Sequence, residues 1–220
     1  AQEQAISGVS GERSVSMDTI LAVQGKGFIL MAADTAHARS IVVMKSDEDK
    51  IMELDTHKLL AHAGEAGDGA QFVDFVQKNI NWQNLRSGVP LSTHAAAHFT
   101  RHQLATALRK NPYNVNILLG GYSEKEGASL YYMDYLASMH KVKYGAHGYS
   151  SFFVLSIMDK EYKEDMSLEE AQQLLEHCFA EIGVRFMVNS SKFILKVVDA
   201  DGTRTVPRAG AAANAQAAAC

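Results

Sequence analysis

LAVQGKGFILMAADT, residues 21–35, decides how the rest of the chain is read. Leu21-Ala22-Val23 and Phe28-Ile29-Leu30-Met31-Ala32-Ala33 flank Gly25-Lys26-Gly27, whose glycines can take the positive φ angles of a tight reversal, so the stretch predicts a β-hairpin. The second arm is apolar at every position from 28 to 33. A strand with one wet face alternates, so this one is expected to be covered on both sides.

Working outward, residues 41–44, 50–54 and 58–61 are short strand candidates separated by the polar turns Asp47-Glu48-Asp49 and Asp55-Thr56-His57. From Gly67 the period lengthens. Phe72, Phe75, Val76, Ile80 and Leu85 recur at helical steps until Gly88 and Pro90 stop the pattern. Ser92 can cap a second helix, expected over 93–110, with Ala96, Phe99, Leu104, Ala107 and Leu108 on its apolar face and Asn111-Pro112 at its end. Strands return at 115–119 and 129–135 around the polar loop 123–127. A helix is expected to begin near Tyr149, and another after Ser167, where Ser167-Leu168-Glu169-Glu170 has the spacing of a capping box. Residues 193–198 and 203–206 face each other across Asp199-Ala200-Asp201-Gly202.

Strands come in hairpins and helices in pairs, unlike the strict alternation that builds a parallel sheet. The economical packing is an α+β fold: two antiparallel sheets face to face, each covered outside by a helix pair, giving a four-layer α-β-β-α sandwich. No repeat or Pro/Ser-rich linker divides it, so one domain is expected over 17–208. Residues 1–16 are expected to be a flexible extension, and the Ala-rich 209–220 a flexible tail.

With 220 residues the chain can bury a sizeable core, and a formal charge of −4 with intermixed signs leaves no basic stripe for nucleic acid. Cys178 and Cys220 are far apart, which argues against a disulfide framework and for a reducing compartment. The first sixteen residues lack the apolar run of a signal peptide, and the apolar stretch from Ile20 is broken at Gly25-Lys26-Gly27, so neither secretion nor a membrane is expected.

Several local motifs occur in a telling order: Ala32-Ala33-Asp34-Thr35, Lys50-Ile51, Ala63-Gly64-Glu65-Ala66-Gly67-Asp68, Gly145-Ala146-His147-Gly148-Tyr149 and Asp199-Ala200-Asp201-Gly202. With the four-layer packing they resemble the proteasome beta subunits, threonine peptidases of the N-terminal-nucleophile hydrolase fold. In active members of that family a free N-terminal threonine attacks the scissile carbonyl with its own α-amino group as base, and a lysine near an aspartate tunes the protons. The resemblance puts the family aspartate at Asp34, the lysine at Lys50 and an oxyanion-hole glycine at Gly64. Counting back from Asp34, the nucleophile position falls on Asp18, which has no hydroxyl. Thr19 is one residue late and lacks the preceding glycine of a processing site. The resemblance further sets Ala146 where active members carry a serine, and Phe186 in place of an aspartate.

Within that family the sequence is nearest to a member made without the threonine and beginning near a pair such as Met17-Asp18. What this implies is a non-catalytic beta subunit with no catalytic residue and no cofactor, and with Asp34, Lys50 and Gly64 kept for structure. Its partners would be two ring neighbours, the opposite beta ring and alpha-ring subunits, around a chamber holding unfolded polypeptide in cytoplasm and nucleus. The alternatives are an active threonine peptidase exposed by processing at Thr19, or a free-standing binding protein.

Three other features have plainer readings. Adjacent members of the His94, His98, His102 series can hold one metal, but the outer two are about 12 Å apart by helix rise and no acidic or cysteine ligand is adjacent, so a solvated or subunit-facing helix is expected and no metal site is assigned. Tyr131, Tyr132 and Tyr135 have no basic groove beside them and read as core or interface residues. Cys178, among Ala171, Leu174, Leu175 and Ile182, reads as a small core residue.

Overall fold

The computed structural model describes residues 18–39, 42–186 and 192–208. The opening hairpin forms as expected. β1 (Ile20–Gly25) and β2 (Phe28–Asp34) pair antiparallel from Ile20↔Ala33 to Gly25↔Phe28, and Gly27 takes φ 77° at the reversal. The remaining strands are β3 (His37–Arg39), β4 (Val42–Lys45), β5 (Ile51–Asp55), β6 (Lys58–Gly64), β7 (Val115–Ser123), β8 (Gly127–Met133), β9 (Met139–Val142), β10 (Tyr144–His147), β11 (Phe193–Asp199) and β12 (Gly202–Val206). They build one five-stranded sheet in the order β10-β1-β2-β11-β12, a second in the order β5-β6-β7-β8-β9, and a small β3-β4 ribbon, with every pairing antiparallel.

Among the described residues there are four helices: α1 (Ala66–Ser87), α2 (Thr93–Ala107), α3 (Ser151–Glu161) and α4 (Leu168–Arg185). Ser92 accepts the Ala95 amide at the start of α2. At α4 the capping box is complete: Glu170 N–H donates to Ser167 Oγ and Ser167 N–H to Glu170 Oε2.

Three apolar clusters set the layers. Leu21, Leu30, Leu195 and Val197 of the first sheet meet Met158, Leu174, Leu175 and Phe179 of α3 and α4. Leu60, Ile117, Leu119 and Met133 of the second meet Phe72, Val76, Ala97 and Leu104 of α1 and α2. Between the sheets, Ile20, Ile29 and Met31 pack on Leu59, Ala61, Leu118 and Leu130. Both sheets are therefore buried on both faces, which is why β2 is apolar throughout. Among the described residues no helix is long and apolar enough to cross a membrane.

The differences from expectation have local causes. α2 stops at Ala107 rather than 110, since Pro112 disfavours helical geometry at Asn111 and the Lys110 and Asn111 amides turn back onto Ala107 O. Leu85 is 86% exposed and Phe75 42%: the buried face of α1 follows Phe72, Val76 and Ile80, and five residues beyond Ile80 the helix has turned about 140° away. β8 ends at Met133 rather than 135, where Asp134 Oδ1 takes the Leu136 and Ser138 amides into a turn. β9 appears where the sequence reading assigned nothing, and β10 where only a motif was read. Gly145, a poor strand former, sits in β10 because a Cβ there would fall 3.1 Å from Leu118 of the facing sheet. Residues 1–16, Met17, Ile41, Cys220 and the 209–220 tail lie outside the described residues.

His147 closes β10, pairs with Ile20 and stacks on Tyr132 with ring centroids 4.0 Å apart. Burial pushes its imidazole down to about 4, with the backbone of Ile117 and Met133 opposing. The unfolded chain therefore takes up a proton at this residue near pH 6.5 and the folded chain only near 4, so stability falls as pH drops through that window, by on the order of 3 kcal/mol in total. Urea unfolding of the wild-type chain should show this loss, and His147→Phe, which keeps a ring on Tyr132, should show a flatter profile between the same limits. Independently, Ser167→Ala should lower unfolding free energy by about 1 kcal/mol at neutral pH through loss of the cap.

Candidate functional site

The site lies where the ends of both sheets converge. Continuing the β1–β2 register beyond Ile20↔Ala33 sets Thr19 opposite Asp34: Asp34 N–H donates to Thr19 O (3.0 Å), and Thr19 N–H donates to Asp34 Oδ1 (2.9 Å). The side chain of Asp34 thus takes over a ladder position. Lys50, one residue before β5, reaches across from the second sheet, and its ammonium donates to Asp18 Oδ1 (2.6 Å), Asp34 Oδ1 (2.9 Å) and Ala36 O (2.7 Å).

The other oxygen of Asp18 accepts the Gly64 amide at 3.2 Å. Gly64 ends β6 at φ 150°, and a Cβ there would lie 2.2 Å from Asn114 O, so only glycine fits. The backbone around it is pinned: Glu65 N–H donates to Asn114 O at 3.0 Å, and Asn114 N–H donates to Asp68 Oδ2, in the first turn of α1, at 2.8 Å. Asp18 consequently bridges the lysine that leads into β5 and the backbone amide at the end of β6.

All three charged side chains are buried, Lys50 at 2% exposure, Asp34 at 6% and Asp18 at 7%. Burial works against the Lys50 ammonium, but the carboxylates of Asp34 and Asp18 outweigh it and hold Lys50 above the ordinary lysine value. Burial raises the Asp34 carboxyl, opposed by Lys50 and the Thr19 amide. His62 on β6 is pushed down by burial despite the pull of Asp18 and Glu48, and its ring lies where Gly69 of α1 leaves room: a Cβ there would stand 2.6 Å from His62 Nδ1. The lysine is thus a fixed cation, a poor proton acceptor at neutral pH.

Of the residues singled out in the sequence, Asp18, Asp34, Lys50 and Gly64 come together. Ala146 and Phe186 belong elsewhere: Ala146 joins the cluster under α3 and α4, and Phe186 packs edge-on against Phe153 at 5.8 Å. They mark the helix-facing core. Sequence reasoning missed Ala36 O, Asn114 and His62; the first two act through the backbone, which side-chain patterns do not reveal. Tyr131 faces α2 and Tyr132 the inter-sheet core, so both are packing residues. Cys178 is buried on α4, and burial pushes its thiol up to about 12, as an inert core residue requires.

The family model described as "Proteasome subunit" matches residues 16–198. The chain is 54% identical over 188 residues to the Arabidopsis thaliana protein named proteasome subunit beta type-2-A, covering 86% of this chain and 92% of the plant protein. It is 48% identical to the Dictyostelium discoideum protein named proteasome subunit beta type-2, over 87% of this chain and 98% of that one. A Saccharomyces cerevisiae protein named proteasome subunit beta type-4 is 40% identical, over 86% and 97%.

Lys50→Ala should cost about 3–5 kcal/mol of unfolding free energy, because it leaves Asp18 and Asp34 facing each other in a buried space without their cation. Adding Asp18→Asn to that variant should return part of the loss, a coupling that a double-mutant cycle measures directly.

Proposed function

The chain belongs to the proteasome subunit family, and from that premise we propose that it is a non-catalytic beta subunit of the proteasome core particle, contributing to the wall of the chamber in which neighbouring subunits degrade unfolded polypeptide. The two antiparallel sheets between helix pairs are the N-terminal-nucleophile hydrolase fold of that family. The unit that fills this role is the domain over 17–208, with 1–16 and 209–220 as flanking segments. Its partners are two ring neighbours, the opposite beta ring and the alpha ring, in cytoplasm and nucleus.

One observation supports the non-catalytic reading: Asp18, which the resemblance sets at the nucleophile position, has both oxygens engaged, by Lys50 Nζ at 2.6 Å and Gly64 N at 3.2 Å. Acyl transfer by this family's route needs a hydroxyl beside an amine base and an open donor for the developing oxyanion. Asp18 supplies no hydroxyl, and its carboxylate accepts from the very amide the oxyanion would use. Asp34, Lys50 and Gly64 then act as structure: an ion pair fixing two sheets and a glycine fitting a tight strand end.

Asp18→Thr, introduced into the particle, should not create peptide hydrolysis above the wild-type background, because the substitution supplies a hydroxyl within an unprocessed chain but no free amine. Mass spectrometry of the assembled subunit provides the second arm. A mature N-terminus at Thr19 that reacts with a covalent threonine-directed inhibitor would replace this proposal with the active-peptidase alternative.

A further inference from the structure

We propose that His94 and His98 form a surface site for a divalent transition-metal ion of the zinc type. The two histidines lie one turn apart on α2, about 6 Å by helix rise, and both are exposed. Their rings are already in contact, with centroids 4.2 Å apart and planes at 57°. On its other side the His94 ring faces Tyr131, whose hydroxyl is 3.2 Å from His94 Nδ1. Tyr131 is only 4% exposed and is held in β8, so this oxygen is positioned by the sheet rather than by the helix.

That arrangement is what a ligating imidazole needs. Metal-bound histidines generally engage an oxygen through one ring nitrogen, which fixes the tautomer and leaves the other nitrogen for the ion. In the tautomer whose Nδ1–H donates to Tyr131 Oη, the Nε2 of His94 is left for a metal shared with His98. The distance objection drawn from sequence applies to the full series, because His102 is a further turn away; it does not touch the first pair. Among the described residues no three His, Cys, Asp or Glu side chains gather into one set, so the protein supplies two imidazoles and water completes the shell. Imidazole nitrogen favours zinc, copper or nickel over magnesium or calcium. An ion held across one helical turn in the folded state alone also stabilises α2 by linkage.

The test is a calorimetric titration of the tag-free full chain with Zn2+, carrying Cys220→Ala so that the terminal thiol does not compete. One saturable equivalent and a rise in thermal midpoint with added zinc are expected. His94→Gln and His98→Gln should each abolish that equivalent, His102→Gln should leave it intact, and Tyr131→Phe should weaken it about tenfold by removing the oxygen that orients His94. All three histidines are exposed, so circular dichroism of the variants should match the wild type. A stoichiometry near zero would overturn the proposal, as would binding that survives both His94→Gln and His98→Gln or is lost in His102→Gln.

Discussion

The ammonium of Lys50 has three N–H donors and three oxygen acceptors, all within 2.9 Å and none of them from its own sheet. Asp18 leads into β1, Asp34 ends β2, and Ala36 follows it, while Lys50 itself leads into β5 of the opposite sheet. One side chain therefore fixes how the two sheets meet at this end of the sandwich. A buried ion pair gains little over a well-packed apolar substitute, since desolvation consumes most of the Coulombic attraction. Its effect is on specificity. With two carboxylates and one cation out of water, any other alignment of the sheets would strand a charge, so the arrangement excludes alternatives more strongly than it stabilises the native one.

Elsewhere the sheets are held by shape. Where they touch, the chain uses residues that let backbones approach: Gly120 lies under Met31 and Ile29, where a Cβ would come within 2.7 and 2.8 Å of their side chains, and Gly145 lies against Leu118. Ala22, Ala33, Ala61 and Ala63 line the same interface. Large residues opposite small ones interdigitate, and both sheets become dry on both faces. The polar residues left in that layer are costly to charge, as the depressed imidazole of His147 illustrates.

Much of this was legible in the sequence because the local signals agreed with the tertiary outcome. The hairpin at Gly25-Lys26-Gly27 and the capping box at Ser167 each have a short-range mechanism that does not depend on the rest of the chain. The apolar run of β2 also carried tertiary information, since only a doubly covered strand can be apolar at every position. The legibility ended where packing overrode propensity. β10 was hidden because its Gly145 is chosen for a contact with Leu118 and not for strand formation. Ala146 looked like part of a chemical site by alignment of motifs, yet alternation along that strand turns it toward α3 and α4. At the site itself the side chains could be anticipated from spacing, whereas the carbonyl of Ala36 and the anchoring of Gly64 through Asn114 and Asp68 are consequences of the folded backbone.

The same distinction bears on how a retained constellation should be judged. A lysine between two carboxylates, with a backbone amide beside them, has the outline of a reaction centre, and its buried, perturbed groups meet the usual criterion for one. That criterion asks whether a group is perturbed, not whether it is available. Here each of the four polar elements is spent on another of them or on the backbone beside it: Lys50 on Asp18, Asp34 and Ala36, Asp34 on the Thr19 amide, and the Gly64 amide on Asp18. Asp18 is what completes the set. It offers one oxygen to the cation and one to the amide. A single carboxylate in this position thus satisfies the electrostatic demands of the pocket, and the fold has reason to hold Asp34, Lys50 and Gly64 whether or not any peptide bond is cut there.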